Sequence, residues 1–332
     1  MSAITSEARP MSVVIPTWNG GERFGSLLEA LRTQSVEHQL VCVDSGSTDG
    51  TADRARDAGA HVHTIPQSEF NHGATRNLGI SICSGERIAL LTQDAVPMDD
   101  TFLEAIRDAY DDPRVDAAYA RQFPLPEQDP ILKERLRRWS ASREEDVLQV
   151  LVHGDAEASR ALFDSLEPLE RLSRCAFDNV ASSVRRSSWE RHPLPHARFG
   201  EDVAFGRELL LSGGAIAFVA AARVEHSHPI SIRREFKRLY CDHHNLYDLF
   251  GVQLVPSWKH VREGWKHQSR FYAELVASQS DLSAAERRRW SKYGHWYALA
   301  ETTAQFLGVR SHWKTNESRF WAWFDRKVRR GV

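Results

Sequence analysis

Ile88-Ala89-Leu90-Leu91-Thr92-Gln93-Asp94-Ala95-Val96-Pro97 is the stretch on which the reading of the chain turns. Its opening apolar run is too short for a helix and has no helical period, so it reads as a strand buried on both faces. Polar residues close the run, and Pro97, with no N–H to donate, stops the ladder. Asp94 therefore stands at the carboxyl end of a buried strand, where open α/β sheets place their ligand crevice. A carboxylate in that position either caps its own turn or serves a cation.

The same design repeats toward the N-terminus. Ser12-Val13-Val14-Ile15-Pro16 is a short β-branched strand, followed by Thr17-Trp18-Asn19-Gly20-Gly21. Glu22 to Gln34 carries Phe24, Leu27, Leu28 and Leu31 at helical spacing. Leu40-Val41-Cys42-Val43-Asp44 is a second buried strand ending in a carboxylate. Ser45-Gly46-Ser47-Thr48-Asp49-Gly50-Thr51 is turn chemistry leading into a helix through Ala58, with Gly59 as its stop. His61 to Ile65 is a third strand, and Phe70 to Gly79 opens the helix that feeds the strand ending at Asp94. Strand and helix alternate at short intervals, which implies an α/β fold with a mostly parallel sheet and right-handed crossovers.

The chain of 332 residues is 42% hydrophobic and 27% charged, ordinary for a globular protein that buries one large core or two smaller ones. A net charge of −2 argues against nucleic acid as a partner. Cys42, Cys83, Cys175 and Cys241 lie far apart with no zinc spacing, so buried free thiols in a reducing compartment are expected. Residues 1–10 are polar, read as a disordered segment without the apolar core of a signal peptide. No run is long enough to span a bilayer. A cytoplasmic protein, or one held peripherally on the inner face of the cell membrane, is expected.

Absent motifs narrow the nucleotide-binding folds. No GxGxxG follows the first strand and no GxxxxGK[ST] occurs, which removes dinucleotide-binding and P-loop sites. The glycine-rich loop expected of a nucleotidyltransferase is also missing. A strand-end aspartate such as Asp44 can instead accept from the imide N–H of uracil or thymine. Asp49 and Thr51 read as a helix N-terminal cap.

Downstream, Val115 to Gln122 is a strand candidate ending in Arg121-Gln122. Pro130 to Leu151 reads as a charged amphipathic helix and Asp155 to Leu172 as another, making a helical insert over about 125–172. Phe177 to Arg186 returns to the sheet, with Asn179 either lining a pocket or capping a turn. Phe199-Gly200-Glu201-Asp202 opens a helix to Leu211, terminated by Gly213 and Gly214. Acids in a first helical turn are stabilised by the dipole, and the same field favours an ionised carboxylate, as a general base requires. Ile216 to Val224 is a strand leading to Glu225-His226-Ser227-His228, whose two histidines at i, i+2 point the same way and suit a cation or phosphate.

Val14-Ile15-Pro16-Thr17-Trp18-Asn19, Val43-Asp44-Ser45-Gly46-Ser47-Thr48-Asp49-Gly50-Thr51 and Thr75-Arg76-Asn77-Leu78-Gly79 together resemble the GT-A glycosyltransferases of family 2. Phe70 to Asn77 and Leu91 to Pro97 resemble more narrowly its bacterial rhamnosyltransferase branch. The resemblance spans roughly residues 11–235. The family's Asp-x-Asp metal motif stands here as Thr92-Gln93-Asp94, with the first carboxylate missing. The resemblance implies inverting, metal-assisted sugar transfer, with dTDP-β-L-rhamnose as donor and a cell-surface glycan or lipid-linked acceptor; the alternatives are a transferase for another UDP or dTDP sugar and a non-catalytic nucleotide-sugar-binding or scaffold protein. Pro16, Thr17, Asn19, Asp44, Ser45, His72, Arg76, Gln93 and Asp94 would bind the nucleotide sugar, with Arg121 and Asn179 in the acceptor or sugar pocket. Arg76 would offer donors to the diphosphate, unless it is a solvated helix-face charge. Asp202 would be the base and Glu201 a supporting acceptor-binding group. Asp94 with His226 or His228 would hold Mg²⁺ or Mn²⁺, a hard cation content with few protein ligands.

After residue 235 the character changes: 236–332 reads as a helical subdomain, and seven of the ten tryptophans follow Ser231. Arg287-Arg288-Arg289-Trp290 and Phe320 to Arg330 mix arginine with indole. That composition suits an interfacial helix on anionic lipid, or a subdomain packing its aromatics on the core or on a second subunit in a homodimer.

Overall fold

The computed structural model describes residues 11–197, 199–227 and 231–330. The expected disordered segment 1–10 and His228 lie outside the described residues. Among the described residues nine strands form one sheet: β1 Met11–Thr17, β2 His38–Asp44, β3 His61–Thr64, β4 Arg87–Leu91, β5 Val96–Pro97, β6 Val115–Phe123, β7 Val147–Val150, β8 Ala181–Arg185 and β9 Ala215–Glu225. Their order is β3-β2-β1-β4-β8-β6-β9-β5, with β7 also on β9.

The first four strands pair in parallel, as their buried apolar runs require. Beyond β4 the sheet is mixed, because β8 runs antiparallel between β4 and β6 while β6 and β9 are parallel. The helix Gly21–Arg32 buries Phe24, Leu27, Leu28 and Leu31 in a core with Val13, Ile15, Leu91 and Phe102. All four cysteines are buried and unpaired, and burial pushes the Cys42 thiol up to about 12.

Two secondary-structure expectations are corrected. The helix beginning at Pro130 ends at Arg137, and Val147–Val150 is a strand instead, paired antiparallel with β9. An open sheet edge offers these residues a ladder that outweighs their local helical pattern. The segment from Asp155 to Leu172 is two helices, Ala156–Ser165 and Pro168–Arg174, since a proline disfavours helical backbone in the residue before it. Pro97 does not simply end a strand: it lies in β5, a two-residue edge strand on β9, where a missing N–H costs little.

The chain divides into two compact units. One comprises Met1–Phe123, Trp139–Ser165 and Arg174–Ser227 and holds the sheet; the other comprises Pro124–Arg138, Leu166–Ser173 and His228–Val332. The second unit is built on the helices Ile232–Phe250, Trp258–Ala277, Ala284–Lys314 and Arg319–Arg329. Within it, buried Glu235 meets Arg135, Arg238 and the Tyr297 hydroxyl, which ties residues 124–138 to the C-terminal helices.

Candidate functional site

The carboxyl ends of β1, β2 and β4 lie side by side because the three strands are parallel neighbours, and their loops are stitched together. Asp44 is buried, and its carboxylate accepts from Thr17 Oγ1 at 3.0 Å, Gly46 N at 3.1 Å, and both the backbone N and the hydroxyl of Ser47. Asn19, at a positive φ of 47°, accepts from Thr48 N through its side chain while its own N–H donates to Ser47 Oγ. The Gln93 amide pairs twice with the Trp18 backbone, accepting from its N–H at 2.8 Å and donating to its carbonyl at 3.1 Å. Asp49 and Thr51 accept from Gly21 N and Gly20 N, so the pair clamps the β1 loop; the cap expected of them is corrected, because Gly50 is the N-cap of the helix Thr51–Asp57 and makes no side-chain cap bond.

Asp94 follows β4 by a tight turn closed from Ala95 N to the Thr92 carbonyl. The next two residues, β5, pair with Val224 and Glu225 at the end of β9. That short ladder carries Asp94 Oδ1 to 3.5 Å from His226 Nε2. Arg23 ties the same corner, donating to the Asp94 carbonyl and to Glu225. Among the described residues no cluster of three or more metal-ligating side chains forms. One carboxylate oxygen and one imidazole nitrogen at this spacing nevertheless fit a hard cation that keeps most of its waters and takes further oxygens from a diphosphate.

A second group of side chains gathers where β8 begins. The glycine at 200, with φ of 69°, opens the helix Glu201–Leu211 from a left-handed backbone that a side chain would strain. Glu201 faces inward and pairs with Arg76, Nη1 to Oε1 at 2.9 Å, with side-chain exposures of 8% and 3%. Arg76 also donates to the His72 and Asn179 carbonyls, while its Nε has no partner. Arg76 reaches this depth because its helix, His72–Ile82, packs tightly on the segment before residue 198. A Cβ on Gly73 would lie 2.1 Å from the Pro195 carbonyl oxygen. The side chain is therefore not a solvated charge: both terminal nitrogens bond to the protein, and Nε alone is left without a partner.

Asp202, half-buried, accepts from Val203 N at 2.8 Å and from Asn179 N at 3.4 Å. Burial, then the neighbouring carboxylates of Glu201 and Asp178, pushes its carboxyl well above the ordinary range, against a smaller opposing pull from Arg76. The expectation that the helix field keeps this group ionised is thereby corrected, because desolvation and like charge outweigh the dipole. Asn179 is buried and fully engaged, its amide reaching Glu201 at 3.4 Å and its oxygen accepting from Ser182 Oγ at 2.8 Å. Asp178 accepts from Val180 N and from the indole of Trp139 at 2.8 Å, and Trp139 remains 41% exposed.

The structure thus places the predicted residues in two hydrogen-bonded groups: Thr17, Asn19, Asp44 and Gln93 in the strand-end loops, and Arg76, Asn179, Glu201 and Asp202 around the start of β8. Pro16 lies within β1, Ser45 is buried beside Asp44, and His72 is exposed with its ring edge-on to Phe70 at 4.8 Å. Arg121 is held apart on β6, over the Phe123 ring at 4.7 Å and against Glu144 at 3.4 Å. Asp178 and Trp139 escape the sequence reading. Asp178 adjoins a residue that was singled out, but only the fold brings its charge to Asp202. Nothing local marks Trp139.

Residues 12–165 match the family described as Glycosyl transferase family 2. Two relatives match over nearly their whole lengths. The O-antigen chain rhamnosyltransferase RfbN of Salmonella typhimurium is 29% identical, with 92% of this chain and 90% of the relative covered. The O-antigen chain rhamnosyltransferase WbaN of Salmonella anatum is 30% identical, with the same 92% and 90% covered. Among solved structures, S. aureus TarS 1-349 in complex with UDP-GlcNAc aligns at a TM-score of 0.50 and 13% identity, covering 92% of each chain, a likeness of fold.

Proposed function

The chain belongs to glycosyltransferase family 2, and from that premise we propose that it moves L-rhamnose from dTDP-β-L-rhamnose to a bacterial cell-surface glycan or lipid-linked acceptor, with inversion. Support for rhamnose as the transferred sugar and for a surface-glycan acceptor comes from the two relatives covered to 90%, both O-antigen chain rhamnosyltransferases. The transfer would take place on the cytoplasmic side, at the inner face of the membrane.

One observation carries the mechanism. Thr92, in the Asp94 turn, donates its N–H to the Val180 carbonyl at 3.0 Å, and the adjoining Asn179 N–H reaches Asp202. The group suited to the leaving diphosphate and the group suited to the acceptor are thus tied through one turn of backbone. In the proposed step Asp202 takes the acceptor hydroxyl proton as that oxygen forms a bond to the anomeric carbon. The bond from the anomeric carbon to the diphosphate oxygen breaks, and dTDP leaves with the electron pair. A single base with no nucleophile beside it implies one displacement and inversion. Arg76 supports the base side indirectly, by holding Glu201 against the helix start. Asp94 and His226 would hold Mg²⁺ or Mn²⁺, which supplies neutralisation of the leaving diphosphate. Asp44 would take the pyrimidine imide N–H by sharing oxygens that already accept from the loop.

The test is a panel of nucleotide sugars offered with and without Mg²⁺ or Mn²⁺, read by release of nucleoside diphosphate and by the anomeric configuration of the product. Turnover with dTDP-rhamnose that needs the cation and gives the inverted α-linkage is expected. Preference for another nucleotide sugar would overturn the donor assignment, and full activity in EDTA would overturn the role given to Asp94 and His226.

A further inference from the structure

We infer that the helix Arg319–Arg329 is a docking surface for an anionic lipid bilayer. Its inner face is fixed: Phe324 packs edge-on against Tyr240 at 5.8 Å, and Asp325 accepts from the Tyr240 hydroxyl at 2.9 Å. Val328 is buried on the same side, and Arg329 closes onto Asp325 at 2.7 Å. What remains outward is a stripe of Arg319, Phe320, Trp323, Arg326, Lys327 and Arg330, spaced by three and four residues. Phe320 and Trp323 are 62% and 50% exposed, with ring centroids 6.0 Å apart.

Two features select the occupant. Rings of this size turned to water on one face of an otherwise packed helix suit the headgroup layer, where aromatic side chains settle. The charge is the second. Residues 319–330 hold five basic side chains and one acid, Asp325, which is already paired inward, in a chain whose net charge is −2. A symmetric contact with a second copy would set this positive stripe against itself, whereas an anionic surface complements it. No helix among the described residues is long and apolar enough to cross a membrane, so the contact is peripheral. Neither the aromatic pair nor the charge alone would hold firmly; the two signals act together. The inference is independent of the transfer chemistry, because vesicle binding needs neither donor nor acceptor.

The full-length protein is sedimented with vesicles of phosphatidylcholine alone and with vesicles of equal parts phosphatidylcholine and phosphatidylglycerol, across a range of salt. The wild type should partition to the anionic vesicles and be released as salt rises. The Phe320→Ala/Trp323→Ala variant and the Arg326→Glu/Lys327→Glu variant should each bind at least about tenfold less, roughly fivefold being expected per basic charge removed. Both should keep the wild-type thermal midpoint, since none of the four side chains is buried. Equal binding by wild type and both variants, or equal binding to neutral vesicles, overturns the inference. So does a dimer in sedimentation equilibrium that the same variants dissolve, which would assign the stripe to a second copy. Tight binding of single-stranded RNA with none to vesicles would overturn it as well.

Discussion

At the ends of β1 and β2 one carboxylate, that of Asp44, accepts four hydrogen bonds and has no acidic side chain among its partners. At the start of the helix Glu201–Leu211 another, that of Asp202, accepts two, the longer at 3.4 Å, with Glu201 and Asp178 beside it. Asp44 is buried and Asp202 half-buried, and the larger difference lies in how each charge is met. Asp44 is an anchor whose negative charge organises a loop in advance of any ligand. Asp202 has its carboxyl pushed up, which fits the proton-accepting role proposed for it. In the proposed reaction, binding would gain from the first arrangement and chemistry from the second.

The comparison breaks most visibly at Asp202. Asp202→Asn should leave dTDP-sugar affinity in calorimetry unchanged while kcat and kcat/KM fall together by roughly 10²–10⁴-fold, the usual share of general-base catalysis. It should also raise the thermal midpoint at neutral pH. A carboxyl whose folded pKa lies above its unfolded value binds its proton more tightly when folded. Its contribution is therefore present at low pH and is lost as pH rises through the window between the ordinary and the raised value. Asparagine carries no such charge. Turnover in the wild type should fall on the acid side of the same raised pKa. A variant with normal turnover would pass the base role to Glu201.

Next comes the ion pair beneath it. Arg76→Leu strands the Glu201 carboxylate in a buried site, and breaking a buried pair from one side costs about 3–5 kcal/mol. Urea unfolding should show that loss, and Arg76→Leu/Glu201→Leu should recover much of it while remaining inactive. An Arg76→Leu protein of normal stability but weakened diphosphate affinity would mean instead that the guanidinium swings out to the ligand.

Asp44→Ala is expected to be milder. It removes a charged acceptor from Gly46 and Ser47, and hydrogen bonds to charged groups contribute about 1.5–3 kcal/mol. Stability and dTDP affinity should fall together, because the loop that binds is the loop the carboxylate organises. Unchanged dTDP affinity would take Asp44 out of the nucleotide site.

How much of this could be read from the sequence follows the range of the contacts. The strands β1, β2 and β4 are legible because each is a local apolar run closed by turn residues. Arg76 and Glu201 stand 125 residues apart, and no periodicity brings them together. The Asp94–His226 approach depends on β5, two residues long, finding the far end of β9. Val147–Val150 is a strand only because β9 has a free edge beside it. Asp202 could be singled out as an acid at a helix start with Glu201 beside it, yet the direction of its shift comes first from burial, then from Glu201 and Asp178, and burial and Asp178 are properties of the packed molecule.

The smallest expected effect sharpens the comparison most. Trp139→Phe keeps an aromatic ring and removes only the indole N–H that donates to Asp178 at 2.8 Å. Asp178 would keep one donor, Val180 N, so its charge would be less well met beside Asp202. One charge-assisted bond of about 1.5 kcal/mol corresponds to roughly a tenfold change. If the indole serves this side of the site, kcat/KM for the acceptor should drop by up to about tenfold while donor affinity and the Asp44 loop are untouched. The acid limb of the pH profile should shift as well, since the change reaches Asp202 only through the charge beside it. A fall in KM-dependent terms with no movement of the acid limb would mean that Trp139 meets the acceptor directly. An unchanged profile with unchanged kinetics would leave Asp178 adequately held by Val180 alone and confine the frustration to Glu201 and Asp202.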